Sequence, residues 1–328
     1  MSDALVSPPV FVATGAVSLA LLGVAAWKVK HAKNDRREAD GDSERIVPLM
    51  GVMGAFVFAA QMINFSIPGT GSSGHLVGGI LLSAILGPWA ALITLASVLV
   101  IQCLAFADGG FMALGANILN MAVFSCLVAY PLIFKPLMKP DASPGRILAA
   151  SVLASVAGLE LGALAVTVET EASGITALPM GQFLLFMLPI HLFIGIGEGL
   201  ATAAVIYVVQ RYKPELLSGV CRRKPAGKRK FGKALAAIAL AALLIGGSFS
   251  WGASSDPDGL EWSITKVAGP AGPEAEPDGL HRTAAAVQEK TAVMPDYNTS
   301  FAGIVGCGAI LLVVFGASRL FRAGQKQG

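Results

Sequence analysis

The chain has 328 residues, of which 54% are hydrophobic and 14% charged, and its mean hydropathy is +0.67. Soluble domains carry about a quarter charged residues, so this composition excludes a disordered protein, a disulfide scaffold and an ordinary cytosolic enzyme. It indicates a protein that crosses a membrane several times, and the 38 glycines favour closely packed helices. The four cysteines form no closely spaced pair, so no structural zinc site is predicted.

Apolar runs of about 20 residues, the length needed to cross a bilayer, predict nine membrane helices. They lie at residues 9–28, 47–65, 73–87, 88–106, 111–134, 147–168, 180–209, 232–250 and 301–319. The third and fourth runs are separated only by Gly87-Pro88. The chain begins without a basic segment or a clear cleavage site, so we expect the first run to be retained as a membrane helix.

The basic residues fall on one side of this arrangement. If the N-terminus lies outside and the helices alternate, every Lys and Arg except Lys266, Arg282 and Lys290 lies in an inside loop or in the C-terminal tail. The positive-inside rule therefore predicts an N-terminus outside the cell and a C-terminus in the cytoplasm. The basic run 222–230 is interpreted as part of this orientation signal, with binding of anionic lipid headgroups as the alternative.

The composition divides the chain into three parts. Residues 1–209 contain seven predicted helices joined by short loops, and residues 210–231 form a basic cytoplasmic linker. Residues 232–328 contain two helices joined by a long outer loop, in which the turn-forming sequence Pro-Asp-Gly-Leu occurs twice. We therefore predict an all-α integral membrane fold, a seven-helix bundle plus a C-terminal two-helix unit with an extracytoplasmic loop.

A polar segment follows the second predicted helix. Gln61 and Asn64 lie at the outer end of that helix, and His75 is predicted to open the third helix, with Ser72 or Ser73 as its cap. Irregular polar backbone at membrane depth is tolerated only where it is buried in protein or lines a cavity. Two interpretations remain open: an outside-facing site with His75 as an imidazole ligand, or a satisfied histidine at a helix start.

A second polar cluster lies on the fifth, sixth and seventh predicted helices. His191 and Glu198 are seven residues apart and share one helix face, while Asn117, Asn120 and Glu160 lie on the other two helices. Such groups are costly in lipid and should face the bundle interior. A metal pathway, a ligand-orienting network and a proton relay are the functional interpretations. Hydrogen bonding between helices is favoured for Asn120 and Glu160.

Enzyme motifs are absent from the sequence. No Walker A lysine motif and no HExxH motif occur, so the chain is predicted neither to hydrolyse nucleotide nor to be a metalloprotease. His191 and Glu198 as an acid–base pair of a membrane enzyme is a weaker alternative, because no nucleophile or multi-histidine cluster accompanies them. No binding to nucleic acid is predicted.

Three long motifs resemble one family. The run GVMGAFVFAAQMINFSIPGTGSSGHLVGGILLSAILGPWAA at 51–91, FADGGFMALGANILNMA at 106–122 and HLFIGIGEGLAT at 191–202 are similar to the CbiM/NikM family. Its members are the substrate-binding components of energy-coupling factor transporters for cobalt and nickel. The resemblance covers residues 4–209. The C-terminal part resembles the two-helix CbiN/NikN partner, of which DPDGLEW at 256–262 is the hallmark.

The resemblance implies a square-planar, nitrogen-rich metal site. In the family the ligands are the N-terminal amine, the backbone nitrogen and side chain of a histidine at position two, and the SSGH imidazole. Carried over, these are the Met1 amine, Ser2 and His75. Imidazole and deprotonated amide nitrogen in this geometry suit Ni²⁺ or Cu²⁺ better than Zn²⁺. Gln61, Asn64 and the loop containing Ser73 are expected to orient the ligands through hydrogen bonds.

Position two departs from the family pattern, since it holds serine instead of histidine. One hypothesis is a true start two codons upstream, which would read Met-His-Met-Ser-Asp. The other is a genuine loss of the histidine, with Ser2 and Asp3 supplying weaker oxygen ligands. The upstream DNA distinguishes them, because the first hypothesis requires an in-frame start codon followed by a histidine codon.

These observations together predict a multi-pass component of the inner or plasma membrane that imports Ni²⁺ or Co²⁺, with cobalamin synthesis as one destination of cobalt. By resemblance, its partners are a transmembrane coupling subunit, cytosolic ATPase subunits and membrane lipid. The metal is the substrate, and no permanently bound cofactor is expected. The alternatives are a stand-alone ion-coupled divalent metal permease, and a scaffold whose metal site is inactive.

Overall fold

The computed structural model describes residues 1–39, 46–139, 141–217, 228–248, 252–270, 279–295 and 301–323. Helices dominate the described residues: α1 Pro8–Ala39, α2 Ile46–Gln61, α3 Gly79–Leu86, α4 Pro88–Phe106, α5 Leu114–Asn117, α6 Lys135–Leu137, α7 Pro144–Ser173, α8 Met180–Tyr212, α9 Lys228–Ser248, α10 Gly259–Ala268, α11 Gly279–Thr291 and α12 Ala302–Ala323. A π-helical segment, Ile118–Phe134, joins α5 to α6 in one continuous rod. Short 3₁₀ turns cover Asp3–Leu5 and Pro214–Leu216.

Five of the predicted spans are confirmed as helices that are long and apolar enough to cross a membrane. They are Pro8–His31, Pro88–Phe106, Leu114–Leu137, Pro144–Ser173 and Met180–Tyr212. Large apolar side chains on these helices remain exposed, for example Leu19 at 72% and Leu185 at 67%, as expected for surfaces that face lipid. The all-α membrane fold is thus supported, while the second, eighth and ninth predicted spans have shorter apolar portions.

The predicted third span, residues 73–87, is wrong. The helix α3 covers eight residues, about 12 Å, whereas the hydrocarbon core of a bilayer is about 30 Å thick. Residues 72–74 instead form the strand β2, which pairs antiparallel with β1, Phe65–Ile67. The hairpin is a local departure from the all-α prediction, and it arises because Gly69 and Gly71 supply the positive φ angles of its turn.

The two serines therefore do not cap α3, and His75 does not open it. The residue before α3 is Gly78, in the left-handed conformation with φ 81°. A buried carboxylate from α8, Glu198, accepts hydrogen bonds from the backbone N–H groups of Val77 and Gly78. His75 consequently lies in an irregular segment between β2 and α3.

The C-terminal helices α9 and α12 pack against α2. Small residues allow the close approach, since a side chain on Gly303 of α12 would overlap the backbone of Gly246 in α9. The Cys307 thiol donates to the carbonyl oxygen of Ala55 at 3.3 Å. The predicted basic linker 210–231 is described to residue 217 and again from 228, and residues 218–227 lie outside the described part.

Candidate metal-binding site

Met1, the first residue of the chain, lines a cavity of about 120 Å³ in the helix bundle. The amine of Met1 donates to Asn117 Oδ1 at 2.9 Å. The Met1 carbonyl oxygen accepts from Asn117 Nδ2 at 3.2 Å and from the Gly110 N–H at 3.0 Å. The Asp3 carboxylate accepts from the Ala113 N–H at 3.0 Å. The loop before α5 and α5 itself thus fix the start of the chain at the cavity.

Two imidazoles, those of His75 and His191, line the same cavity. His75 Nδ1 lies 3.3 Å from the Leu76 carbonyl oxygen, and His191 Nδ1 lies 2.7 Å from the Met187 carbonyl oxygen. A carbonyl oxygen only accepts hydrogen bonds, so each Nδ1 carries a hydrogen, and in the neutral ring Nε2 then carries the lone pair. Metal-binding histidines commonly use this arrangement, in which one ring nitrogen donates to a carbonyl and the other binds the ion.

Glu198 and Gln61 hold the backbone that follows the first of these histidines. Glu198 is 1% exposed, and its two oxygens accept from the N–H groups of Val77 at 2.9 Å and Gly78 at 3.1 Å. Gln61 Nε2 donates to the Val77 carbonyl oxygen at 2.9 Å, and Gln61 Oε1 accepts from Gln102 at 3.0 Å. Both side chains are therefore occupied in positioning the segment, and neither lines the cavity.

The DPDGLEW segment binds to the hairpin beside the cavity. The Ser73 N–H donates to the Pro257 carbonyl oxygen and its hydroxyl to the Asp256 carbonyl oxygen, both at 2.8 Å. The Trp262 indole N–H donates to the Thr70 carbonyl oxygen at 3.0 Å. Ser73 is fully buried in this contact. All three of these hydrogen bonds between the C-terminal unit and the hairpin end on main-chain carbonyl oxygens.

The start of α10 closes one side of the cavity, where Asp258, Gly259 and Leu260 line it. Asp258 Oδ1 accepts from the Glu261 N–H at 2.8 Å and so caps α10. The neighbouring Asp258 carboxylate, together with partial burial, raises the pKa of Glu261 above its ordinary value. Two acidic side chains therefore lie close together at the start of α10, and one of them, Asp258, lines the cavity.

Gly259 packs so closely that a side chain does not fit. An added Cβ would lie 2.7 Å from Ile194 Cδ1 and 3.2 Å from His191 Cε1. We expect Gly259→Val to displace α10 at a cost of about 1–3 kcal/mol and to speed hydrogen exchange of the Ser73 amide by about 5- to 150-fold. Mass spectrometry of deuterium uptake measures this change.

Gly252→Val is the matched control, because an added Cβ at Gly252 of the same loop meets nothing within 4 Å. Equal exchange at Ser73 in both variants would contradict the close packing of α10.

Four of the predicted site residues line the cavity, and the others do not. The cavity is lined by Met1, His75, Asn117 and His191, whereas Ser2 is exposed and does not line it. Asn64 contributes its carbonyl oxygen, which accepts from the Ser254 N–H at 2.8 Å. The Asp3 carboxylate, the other suggested oxygen ligand, is likewise not among the lining groups.

Asn120 and Glu160 were predicted to form hydrogen bonds between helices. Asn120 Nδ2 donates to Glu169 Oε2 at 2.7 Å, which confirms hydrogen bonding between helices for Asn120. For Glu160, half-buried on α7, the same role stays a prediction.

No group of three or more His, Cys, Asp or Glu side chains in the described part of the chain is close enough to hold a metal ion.

Asp258 and Gly259 were missed as cavity residues, although their motif was identified. The Ser73 hydroxyl and its Asp256 partner are 183 residues apart in the chain, and no local pattern indicates that contact.

Comparison with known proteins decides the family. The model of the cobalt uptake substrate-specific transmembrane region matches residues 1–216, and that of the PDGLE domain matches residues 232–323. The chain belongs to the CbiM family, with a PDGLE domain fused at its C-terminus. This places the cavity in a family of cobalt-uptake membrane proteins.

Relatives cover nearly the whole chain. A putative fused nickel transport protein NikMN of Archaeoglobus fulgidus is 30% identical and covers 93% of each chain. The fused nickel transport protein NikMN of Rhodobacter capsulatus is 33% identical over 90% of this chain and 88% of its own. A crystal structure of a transition metal transporter aligns with a TM-score of 0.53 at 31% identity, over 64% of this chain and 92% of that one. The family member described here is therefore a membrane component for cobalt or nickel uptake.

Proposed function

We propose that the protein is the substrate-specific component of an energy-coupling factor transporter that imports Ni²⁺ or Co²⁺. One observation carries the proposal: a single cavity is lined by Met1, whose amine points to Asn117, and by two histidines whose Nδ1 atoms face carbonyl oxygens. The relatives named as nickel transport proteins support the substrate class.

The donor set consists of nitrogen atoms. We propose as ligands the Met1 amine and the Nε2 atoms of His75 and His191, with the Ser2 backbone nitrogen as a further candidate. His191 replaces the imidazole that a histidine at position two would supply, because it lies at the same cavity while the Ser2 side chain is exposed. Amine and imidazole nitrogens suit Ni²⁺ and Co²⁺ better than Mg²⁺ or Ca²⁺, which prefer oxygen.

The C-terminal unit controls access to this site in our proposal. Asp258 and Gly259 line the cavity, and the hydrogen bonds of Ser73 to the DPDGLEW segment hold them there. Undocking of α10 opens the cavity to an incoming ion, and docking retains the ion. The acidic side chains of Asp258 and Glu261 attract the cation during entry.

The membrane arrangement belongs to the same proposal. Residues 1–209 form a helix bundle in which the short helix α3 takes the place of the predicted third span. Residues 210–231 form a cytoplasmic linker and residues 232–328 a unit with two membrane helices, and the N-terminus lies outside. A transmembrane coupling subunit and cytosolic ATPases drive release of the metal, which is the substrate of the protein and not a cofactor. The distribution of Lys and Arg supports this orientation.

The first test measures bound metal by elemental mass spectrometry after purified protein is incubated with Ni²⁺ or Co²⁺. We expect about one ion per chain in the natural protein and at least about a 100-fold weaker affinity in His191→Phe, which keeps a ring but removes the donor. His31→Phe is the matched control, because His31 is exposed and far from the cavity. It lies about 35 Å along α1 from Pro8, the first residue of that helix. No bound metal in the natural protein would overturn the proposal.

The second test separates the transporter class from its alternative. Uptake of radioactive ⁶³Ni²⁺ is measured in cells with and without the coupling and ATPase subunits encoded by the same organism. Uptake only with these subunits is the expected result. Equal uptake without them would identify a stand-alone permease instead.

A further inference from the structure

The second helix of the C-terminal loop, α11, is attached to the first seven residues of the chain. His281 of α11 is buried, and its Nε2 lies 2.9 Å from the Val6 carbonyl oxygen and 3.1 Å from the Asp3 carbonyl oxygen. Both oxygens only accept, so Nε2 carries a hydrogen that the two carbonyls share. Val6 is itself completely buried. This contact fixes the turn that directly follows the N-terminal amine.

The other end of α11 is attached to the last turn of α4 and to the loop that follows it. Gln288 Nε2 donates to the Gly109 carbonyl oxygen at 2.7 Å and to the Cys103 carbonyl oxygen at 3.0 Å. The next residue of that loop, Gly110, donates its N–H to the Met1 carbonyl oxygen at 3.0 Å. One helix thus bonds both to the turn that follows the amine and to the loop whose Gly110 donates to the Met1 carbonyl oxygen.

No residue of α11 lines the cavity. We propose that α11 is a latch that holds the N-terminal amine in the metal site, with His281 as its main positioning residue and Gln288 as its second attachment. The latch rests on the proposed function, since the amine must be a metal ligand for the latch to affect metal binding. The role of α11 differs from that of α10. Residues of α10 line the cavity, whereas α11 does not line it and bonds to the chain next to the amine.

The latch requires a side chain of a particular kind at position 281. A side chain there must place an N–H at the distance of the imidazole Nε2, within reach of two carbonyl oxygens. Glutamine meets this demand, because its amide nitrogen lies about as far from the backbone and donates hydrogen bonds. Phenylalanine retains the ring but leaves the carbonyl oxygens of Asp3 and Val6 without this donor.

The experiment compares full-length His281→Phe, His281→Gln and Arg282→Ala, the last being an exposed neighbour on α11. Hydrogen exchange of residues 3–7 and the Ni²⁺ dissociation constant are measured on each protein. We expect His281→Phe to exchange faster in this segment and to bind Ni²⁺ about 10- to 100-fold more weakly. His281→Gln should restore both quantities, and Arg282→Ala should match the natural protein.

Gln288→Leu provides an independent variant from the other end of the helix, and it should weaken Ni²⁺ binding in the same direction. Unchanged exchange and unchanged affinity in His281→Phe would overturn the latch. Equal losses in His281→Phe and His281→Gln would also overturn it, because they would show a packing effect without a role for the N–H donor. If the natural protein binds no Ni²⁺, the proposed function fails, and hydrogen exchange still tests the attachment.

Discussion

Replacing His75 by alanine is expected to remove stable binding of Ni²⁺ or Co²⁺. The substitution deletes one of two imidazoles at the cavity, and the described residues contain no cluster of three His, Cys, Asp or Glu side chains that could compensate. Changes to residues that merely orient ligands cost about 10- to 100-fold in affinity, so loss of a ligand should cost at least about 100-fold. Isothermal titration with each ion, on protein freed of metal, measures the dissociation constant.

His31→Ala is the control for this prediction, since it removes an exposed imidazole of α1 whose Nδ1 bonds to the Trp27 carbonyl oxygen. It should bind metal like the natural protein. An unchanged dissociation constant in His75→Ala would remove His75 from the ligand set and leave His191 as the imidazole to examine.

The second large effect is expected for Glu198→Gln. The amide keeps the shape of the carboxylate but retains one acceptor oxygen, so an NH₂ group faces one of the two N–H donors of Val77 and Gly78. A buried donor left without an acceptor costs about 1–3 kcal/mol, and the lost charge adds to this, so we expect about 2–4 kcal/mol of destabilisation. The Ni²⁺ affinity should fall at least about tenfold, because the backbone after His75 is no longer fixed.

Thermal unfolding in detergent and Ni²⁺ titration measure the two effects separately. Glu160→Gln is the matched control, since Glu160 is a half-buried carboxylate of α7 that does not line the cavity. If Glu198→Gln unfolds and binds metal like the natural protein, the carboxylate does not position the histidine segment.

The long helices were predictable because each carries an unbroken apolar run of sufficient length. The third run was not, although residues 76–86 are mostly apolar. Its first part is taken up by the hairpin, and Glu198, more than a hundred residues later in the chain, captures the N–H groups that would otherwise start a helix. Hydrophobic periodicity contains no information about such a long-range acceptor.

The candidate site was predictable only in part. His75, Asn117 and His191 stand out in sequence because polar groups in apolar helices require a partner or a function. His281 carries no such signal, since it lies in a polar loop beside the second Pro-Asp-Gly-Leu sequence, which indicates only a turn. Its importance depends on two carbonyl oxygens more than 270 residues away in the chain.

The hydrogen bonds between Ser73 and the DPDGLEW segment also bear on the advantage of a single fused chain. A few neutral hydrogen bonds, each of about 1 kcal/mol, hold separate proteins together only weakly. Here α9 and α12 remain packed on α2, so an undocked α10 stays near the hairpin at an effective concentration on the order of millimolar. Reclosure is then a unimolecular event, independent of protein abundance in the membrane. If α10 undocks during transport as proposed, fusion therefore allows a weak contact to re-form rapidly.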